Sequence, residues 1–256
     1  MSFLEIESRC IEYELNRAQS NVPVIVFLHE GLGSVSTWRD FPARIAQATG
    51  CGTLVYSKWG HGRSDPLPVP RGVDFMHVEA LETLPALLDA LDVHRPLLLG
   101  HSEGASIALI HAGGAGRPVE GIVAMAPHVM VEEANLEAIR QAQASFETTD
   151  LRERLVRHHA DPEATFRGWN DIWLAPRFRG WNIEAYLPRI ACPVLAIRGE
   201  DDEYGTMLQL ERTAQSVPDV QVLKLASCGH SPHRDQPEAV IEAVARFFNS
   251  VLMGRP

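Results

Sequence analysis

Short apolar runs alternate with amphipathic stretches along most of this chain. Val24-Ile25-Val26-Phe27-Leu28, residues 53–56, Pro96-Leu97-Leu98-Leu99 and Val119-Glu120-Gly121-Ile122-Val123-Ala124-Met125 each read as buried strands. Between and after them, residues 42–48, 78–91 and 105–112 carry helical patterns. Strand–helix alternation of this kind predicts a parallel sheet with helices on both faces. At the start of the chain, residues 3–7 and 11–15 alternate apolar and polar positions and predict an edge hairpin. After Ala126-Pro127 the rhythm breaks. Residues 129–188 hold helix-like, polar and aromatic stretches without a strand, and the alternation resumes with Pro193-Val194-Leu195-Ala196-Ile197-Arg198 and Val220-Gln221-Val222-Leu223-Lys224-Leu225. The pattern therefore predicts one α/β core, residues 1–128 and 189–256, interrupted by a helical insertion at 129–188.

Candidate chemistry sits where strand runs end. Gly100-His101-Ser102-Glu103-Gly104 lies between a strand run and a helix. A G-x-S-x-G in that setting is a nucleophile elbow, a strained turn that lifts a serine hydroxyl above the sheet. Its glycines are needed because side chains two residues either way would meet the neighbouring strand and helix. A nucleophilic serine needs a base, and the base an orienting carboxylate. Two downstream segments supply them: Gly199-Glu200-Asp201-Asp202-Glu203 after one strand run, and Ser227-Cys228-Gly229-His230-Ser231-Pro232 after the next.

With these motifs in place the chain resembles the α/β-hydrolase-fold serine hydrolases over nearly all its length. The family's G-x-x-D pattern falls on Gly199 to Asp202 and its G-H-x-P pattern on Gly229 to Pro232. The resemblance implies Ser102 as nucleophile, His230 as general base and then acid, and Asp202 as the carboxylate that orients the imidazole. Asp201 and Glu203 are the rival carboxylates, in an acidic run that would otherwise be a solvated loop. Cys228 precedes His230 by two residues, but the resemblance puts the nucleophile at the serine. His233 reads as surface or pocket lining, His101 as packing beneath the nucleophile, and His29 as a brace for its glycine loop.

That loop, His29-Glu30-Gly31-Leu32-Gly33-Ser34, follows the first long strand run. The resemblance implies an oxyanion hole built from the backbone N–H groups of Gly31 and Glu103. Glu30 departs from the family's usual glycine. A carboxylate there repels developing negative charge unless it points away or pairs with a cation, so Glu30 is either a supporting structural group or one that reads substrate. Gly60-His61-Gly62-Arg63-Ser64-Asp65 resembles the family's G-x-G-x-S loop, and neither phosphate-binding glycine motif is present. The insertion at 129–188 resembles the helical cap of many relatives. In it Phe166, Trp169 and Trp173 lie at helical spacing, followed by Arg177, Phe178, Arg179 and Trp181. The aromatics anchor the cap, or they line an acyl pocket in which Arg177 or Arg179 meets an anionic substrate group.

The resemblance implies a cofactor-free, metal-free serine hydrolase of a carboxylic ester, thioester or lactone of a small metabolite, anionic if the cap arginines read it. A C–C-bond hydrolase of aromatic ring cleavage and a non-catalytic small-molecule receptor are the alternatives on the same fold. A serine at the elbow disfavours the dehalogenases and epoxide hydrolases of the fold, whose nucleophile is aspartate. Composition narrows the partners. A net charge of −10 over 256 residues argues against nucleic acid and anionic membrane. It leaves assembly into a homo-oligomer open. The four cysteines show no C-x-x-C pair and no zinc spacing, as expected of free thiols in a reducing cytosol. The amino terminus lacks the basic start and long apolar stretch of a signal peptide, and no run approaches a membrane span, so the expected location is the cytoplasm.

Overall fold

The computed structural model describes residues 2–6, 8–18, 22–67 and 70–254. Glu7 of the first expected strand, and two positions of the proline-rich stretch 65–70, lie outside the described residues. Eight strands form one sheet: β1 (Ser2–Ile6), β2 (Arg9–Asn16), β3 (Val24–Leu28), β4 (Gly52–Tyr56), β5 (Leu97–His101), β6 (Gly121–Met125), β7 (Val194–Gly199) and β8 (Val220–Leu225). Their order is β1-β2-β4-β3-β5-β6-β7-β8. β1 and β2 form the antiparallel edge hairpin, β2 joins β4 antiparallel, and every pairing from β4 to β8 is parallel. This is the α/β-hydrolase fold.

The strands β3 to β7 are buried along their whole length, as expected of parallel strands covered on both faces. Alternate residues feed two cores. Ile25, Phe27, Val55, Leu97, Leu99, Val123 and Ile197 face α1 (Phe41–Thr49) and the C-terminal α10 (Pro237–Met253), which contribute Phe41, Ile45, Val244 and Phe248. Val24, Val26, Leu54, Leu98, Ile122 and Val194 face the other way. There they meet α2 (Phe75–Val78), α3 (Leu84–Ala90) and α4 (Glu103–Gly114). The expected single helix over 78–91 instead starts at Phe75 and passes through a π-turn at Glu79–Thr83 before continuing as α3. α4 is apolar on nearly every side because it lies between the sheet and the elements above it, burying ten of its residues.

Between β6 and β7 the chain runs through α5 (Glu133–Thr148), α6 (Leu151–Val156) and α7 (Pro162–Leu174), then two short 3-10 turns. The remaining helices are α8 (Met207–Ser216) and α9 (Pro232–Asp235). The β6–β7 segment is tied down by aromatic contacts. Phe146 stacks on Phe166 with ring centroids 3.9 Å apart, and Trp173, Phe178 and Trp181 pack together at 5.0–6.2 Å. Phe75 of α2 meets Phe178 at 5.8 Å, so these aromatics continue the core beneath them. Among the described residues no helix is long and apolar enough to cross a membrane.

The topology also places the loops. After β3 the chain turns to one side to make β4, then crosses to the other side of β3 to make β5. Ligand chemistry in open α/β sheets gathers at such a reversal, beyond the carboxyl ends of the strands. Here Leu28 of β3 pairs with Gly100 of β5, so the loop 29–34 and Ser102 leave the sheet side by side.

Candidate active site

Ser102 stands alone between the end of β5 and the start of α4, with φ 54° and ψ −119°. Such a backbone is costly for a non-glycine residue and persists because its surroundings hold it. Its N–H donates to Met125 O at 2.9 Å, and its carbonyl accepts from Ala105 N and Ser106 N at 3.0 and 3.1 Å. The flanking glycines have no room for side chains. A Cβ on Gly104 would lie 1.9 Å from Leu28 O, and one on Gly100 would lie 2.4 Å from Gly104 O. Gly104→Ala must therefore push α4 away from β3. We expect it to lower the thermal midpoint by roughly 3–10 °C, from an overpacking cost of about 1–3 kcal/mol in a chain of this size. An unchanged melting curve would contradict the steric reading.

Ser102 Oγ lies 2.9 Å from His230 Nε2, and His230 Nδ1 lies 2.8 Å from Asp202 Oδ1. Of the three neighbouring carboxylates only Asp202 turns inward. Asp201 and Glu203 are exposed, and Glu203 reaches only the backbone N–H of His230. Asp202 Oδ1 also accepts from Tyr204 N at 2.9 Å, and Oδ2 accepts from Arg198 at 2.6 Å. Arg198, fully buried on β7, is fixed in turn by the carbonyls of Pro127 and Gly205. Burial pushes the Asp202 carboxyl up, but the His230 hydrogen bond and the nearby cationic charge outweigh it and bring it down to about 2. For His230, burial outweighs the attraction of Asp202 and lowers its pKa from the ordinary histidine value of 6.5.

The direction of that shift sets a pH dependence. A protonated His230 cannot accept the serine proton, so kcat/KM should fall on the acid side through a single pKa below 6.5. Asp202 stays ionised throughout that limb. A limb centred above 6.5 in the pH–rate profile would show that the ion pair, not burial, governs the imidazole.

The loop after β3, which carries Gly31, leaves the sheet beside the strand that carries Ser102 and Glu103, since Leu28 pairs with Gly100. The first N–H groups of a helix lack intrahelical partners, and Glu103 N stands at the start of α4 directly after Ser102. The Glu103 side chain points elsewhere: Oε2 pairs with Lys58 Nζ at 2.9 Å, and Oε1 accepts from Trp173 Nε1 at 2.8 Å. His29 braces the loop from both nitrogens. Nε2 accepts from Lys58 N, and Nδ1 donates to Glu30 O at 2.7 Å. His61 Nε2, in the 60–65 loop, lies 2.9 Å from Gly31 O.

Glu30 is held by basic neighbours. Its carboxylate reaches Arg234 at 3.2 Å and His101 Nδ1 at 3.5 Å. Burial raises the Glu30 pKa, but His101, Arg234 and His233 hold it well below the usual carboxylate range. The alternative of a substrate-reading Glu30 therefore gives way to a structural one. His101 Nε2 donates to the His230 carbonyl at 2.7 Å, so the elbow histidine supports the loop that carries His230. His233 is not a surface residue. It is buried among Trp38, Phe41 and His101, where burial lowers its pKa well below 6.5. Cys228 is buried as well, and burial pushes its thiol up to about 11, far from a reactive thiolate.

Of the candidate residues between β6 and β7, Trp169 and Trp173 reach the site and the two arginines do not. The Trp169 indole lies against Gly31, where a Cβ would meet Nε1 at 2.2 Å. Trp173 contacts Glu103 and stacks edge-on to His128 at 5.2 Å. Arg177 and Arg179 are exposed. Arg177 donates to the backbone carbonyl of Arg71, and Arg179 pairs with Glu133 on the surface. The buried cations on this side are Lys58 and Arg71, both lining a cavity of about 250 Å³ beside α4.

Sequence reasoning missed His128. Its Nε2 lies 3.3 Å from Ser102 Oγ, on a buried ring 5.6 Å from that of His230. The available signal was positional: His128 follows Ala126-Pro127 just past β6, at the carboxyl edge where the other site residues emerge. Arg198 was also missed as a site residue, because within an apolar strand run it reads as the strand's polar end.

Comparison with known proteins bears on the fold and the family. The model of the alpha/beta hydrolase family matches residues 25–243. A protein of Pseudomonas savastanoi pv. phaseolicola with the provisional name carbamate hydrolase RutD is 26% identical over 260 residues, covering 93% of this chain and 98% of its own. Among solved structures, the enol-lactonase from Burkholderia xenovorans LB400 superposes with a TM-score of 0.76 at 19% identity, over 96% of this chain and 99% of that one. Proline iminopeptidase from Mycobacterium smegmatis gives the same TM-score and identity, over 98% of both chains. At such identities the structural likenesses speak for the fold alone.

Proposed function

The chain belongs to the alpha/beta hydrolase family and is a hydrolase of that fold; from this premise we propose that it cleaves a carboxylic ester, thioester or lactone of a small metabolite through an acyl-enzyme on Ser102. The observation that carries the reading is the continuous hydrogen-bonded path from Ser102 Oγ through His230 to Asp202, at 2.9 and 2.8 Å, on a strained elbow. Ser102 attacks the carbonyl carbon while His230 Nε2 takes the hydroxyl proton. The carbonyl electron pair moves onto oxygen, which the amides of Gly31 and Glu103 receive. His230 then protonates the leaving group. Water, deprotonated by the same imidazole, releases the acyl group. The carbamate in the RutD name is a further carbonyl open to this chemistry.

Trp169 against Gly31 and Trp173 against Glu103 leave the acyl side narrow and aromatic, which favours short acyl groups. For an anionic substrate group, the cavity beside α4 offers Arg71, next to a Lys58 already paired with Glu103, and not the exposed Arg177 or Arg179.

The test combines a fluorophosphonate, read by intact-protein mass, with a p-nitrophenyl ester series. We expect one adduct, mapped to Ser102, and turnover that declines as the acyl chain lengthens. An unmodified Ser102, or acylation that stops after one equivalent, would overturn the enzymatic reading.

A further inference from the structure

Two histidines flank the same serine oxygen, and hydrogen-bond bookkeeping assigns them different protons. The chain of constraints starts at the Glu132 N–H, which can only donate. Asn135 Oδ1 accepts it at 2.5 Å. The other terminus of the Asn135 amide is therefore its NH₂, and one of those hydrogens goes to the Tyr204 carbonyl, which can only accept. The second faces His128 Nδ1 at 3.3 Å, so that ring nitrogen carries a lone pair. In a neutral imidazole the proton then sits on Nε2, the atom that faces Ser102 Oγ.

The serine side agrees. His230 donates from Nδ1 to Asp202, so its Nε2 must accept, and it takes the Ser102 hydrogen. Ser102 Oγ is left with lone pairs, one of which faces His128 Nε2–H. His128 is well held for this role. Its backbone N–H donates to Ser106 Oγ at 3.1 Å, and its carbonyl accepts from the same hydroxyl at 2.7 Å. Asn135 is buried near the start of α5, and the His128 ring packs on Trp173.

We propose that His128 is a second catalytic histidine, a donor that keeps its proton and stabilises negative charge on Ser102 Oγ alongside His230. This rests on Ser102 being the nucleophile. In the step itself, the Ser102 proton passes to His230, the Oγ–carbon bond forms, and the carbonyl electron pair moves to oxygen. His128 transfers nothing; the hydrogen bond from its Nε2–H to Oγ shortens as charge builds there, since hydrogen bonds to charged oxygen are the shorter and stronger ones. It acts again in deacylation, when the Oγ–carbon bond breaks and Oγ, gaining charge, takes back the proton that His230 removed from water. His128 cannot replace His230 as base, because its Nδ1 meets an amide NH₂ and not a carboxylate. Burial and the neighbouring His230 also hold its pKa well below 6.5, so it stays neutral at working pH.

The experiment measures fluorophosphonate inactivation rates and p-nitrophenyl acetate kinetics for the unmodified protein, His128→Phe and His128→Gln. Phenylalanine fills the space without a donor, and glutamine can return an N–H near the Nε2 position. We expect His128→Phe to slow both inactivation and kcat by about 10- to 100-fold with KM little changed, and His128→Gln to recover much of the loss. A folded His128→Phe within about twofold of the unmodified rates, or a glutamine variant as slow as phenylalanine, would overturn the proposal. If the unmodified protein itself escapes labelling at Ser102, the serine-hydrolase reading falls instead, and the two failures are distinct. Should His128→Phe not fold, imidazole nitrogen-15 spectra of the unmodified protein decide. A proton on Nε2 supports the assignment, and one on Nδ1 overturns it.

Discussion

Ser102→Ala is expected to remove hydrolysis while leaving the fold intact, with kcat falling by about 10⁶-fold, the size seen when a triad nucleophile is lost. The remaining rate would come from the oxyanion amides and substrate binding. The structure explains why stability should be spared. Among the described residues the Ser102 hydroxyl bonds only to His230 and His128, whereas its backbone bonds to Met125, Ala105 and Ser106 hold the elbow whatever the side chain. Alanine at φ 54° is strained much as serine is. Turnover of a p-nitrophenyl ester and a melting curve, run on the same preparation, check both halves. Undiminished activity would sink the mechanism. A lost fold would mean the hydroxyl bears more of the structure than its contacts indicate.

Asp202→Asn is expected to cost roughly 10⁴ in kcat, with its cause in the direction of one amide. Arg198 donates to Oδ2, so an asparagine there keeps its oxygen toward the guanidinium. Its NH₂ then occupies the Oδ1 position, facing His230 Nδ1 and the Tyr204 N–H. His230 is driven to the tautomer with its proton on Nε2, the nitrogen that must accept from Ser102. A second penalty accompanies the first. Arg198 is fully buried, and removing its carboxylate leaves a charge without an ionic partner, a loss of about 3–5 kcal/mol. Asp202→Asn should therefore also melt well below the unmodified protein. Asp201→Asn, at an exposed position, should do neither. Steady-state kinetics on the two variants settle the assignment, and a larger loss in Asp201→Asn would mean the wrong carboxylate was chosen.

The cap shows where pattern reading loses resolution. Phe166, Trp169 and Trp173 recur at helical spacing and do form one face of α7, and both readings of them hold in part: Trp173 packs with Phe178 and Trp181, yet its indole N–H also meets Glu103 beside the nucleophile. Arg177 and Arg179 looked like a handle for an anion because they stand together in an acidic chain. A surface partner for Arg179, Glu133, lies 46 positions away and could not be seen in the local pattern. Arg71, the buried cation at a cavity, carries no local signal of burial in a loop between proline and glycine. Glu30 posed the reverse problem. Its departure from the family glycine was visible, but Arg234, the cation that answers it, is 204 positions distant.

What this sequence determined by itself is whatever depends on neighbours along the chain. Short apolar runs set the buried strands and period-two alternation the edge hairpin, strand–helix alternation set a parallel sheet, and G-x-S-x-G between strand and helix set the elbow, because each is a short-range consequence of backbone geometry and sterics. The resemblance of its G-x-x-D and G-H-x-P motifs to the family's singled out Asp202 and His230 as partners for Ser102, all at strand ends, which gather at one edge of the sheet. The tertiary structure alone decided which polar groups face one another there. Asn135, Tyr204 and Glu132 place the proton of His128, and Pro127, Gly205 and Asp202 hold Arg198, through contacts of a few ångströms between residues far apart in the chain. Hydrogen bonds of that kind depend on tenths of an ångström and on donor direction, and no linear pattern encodes either.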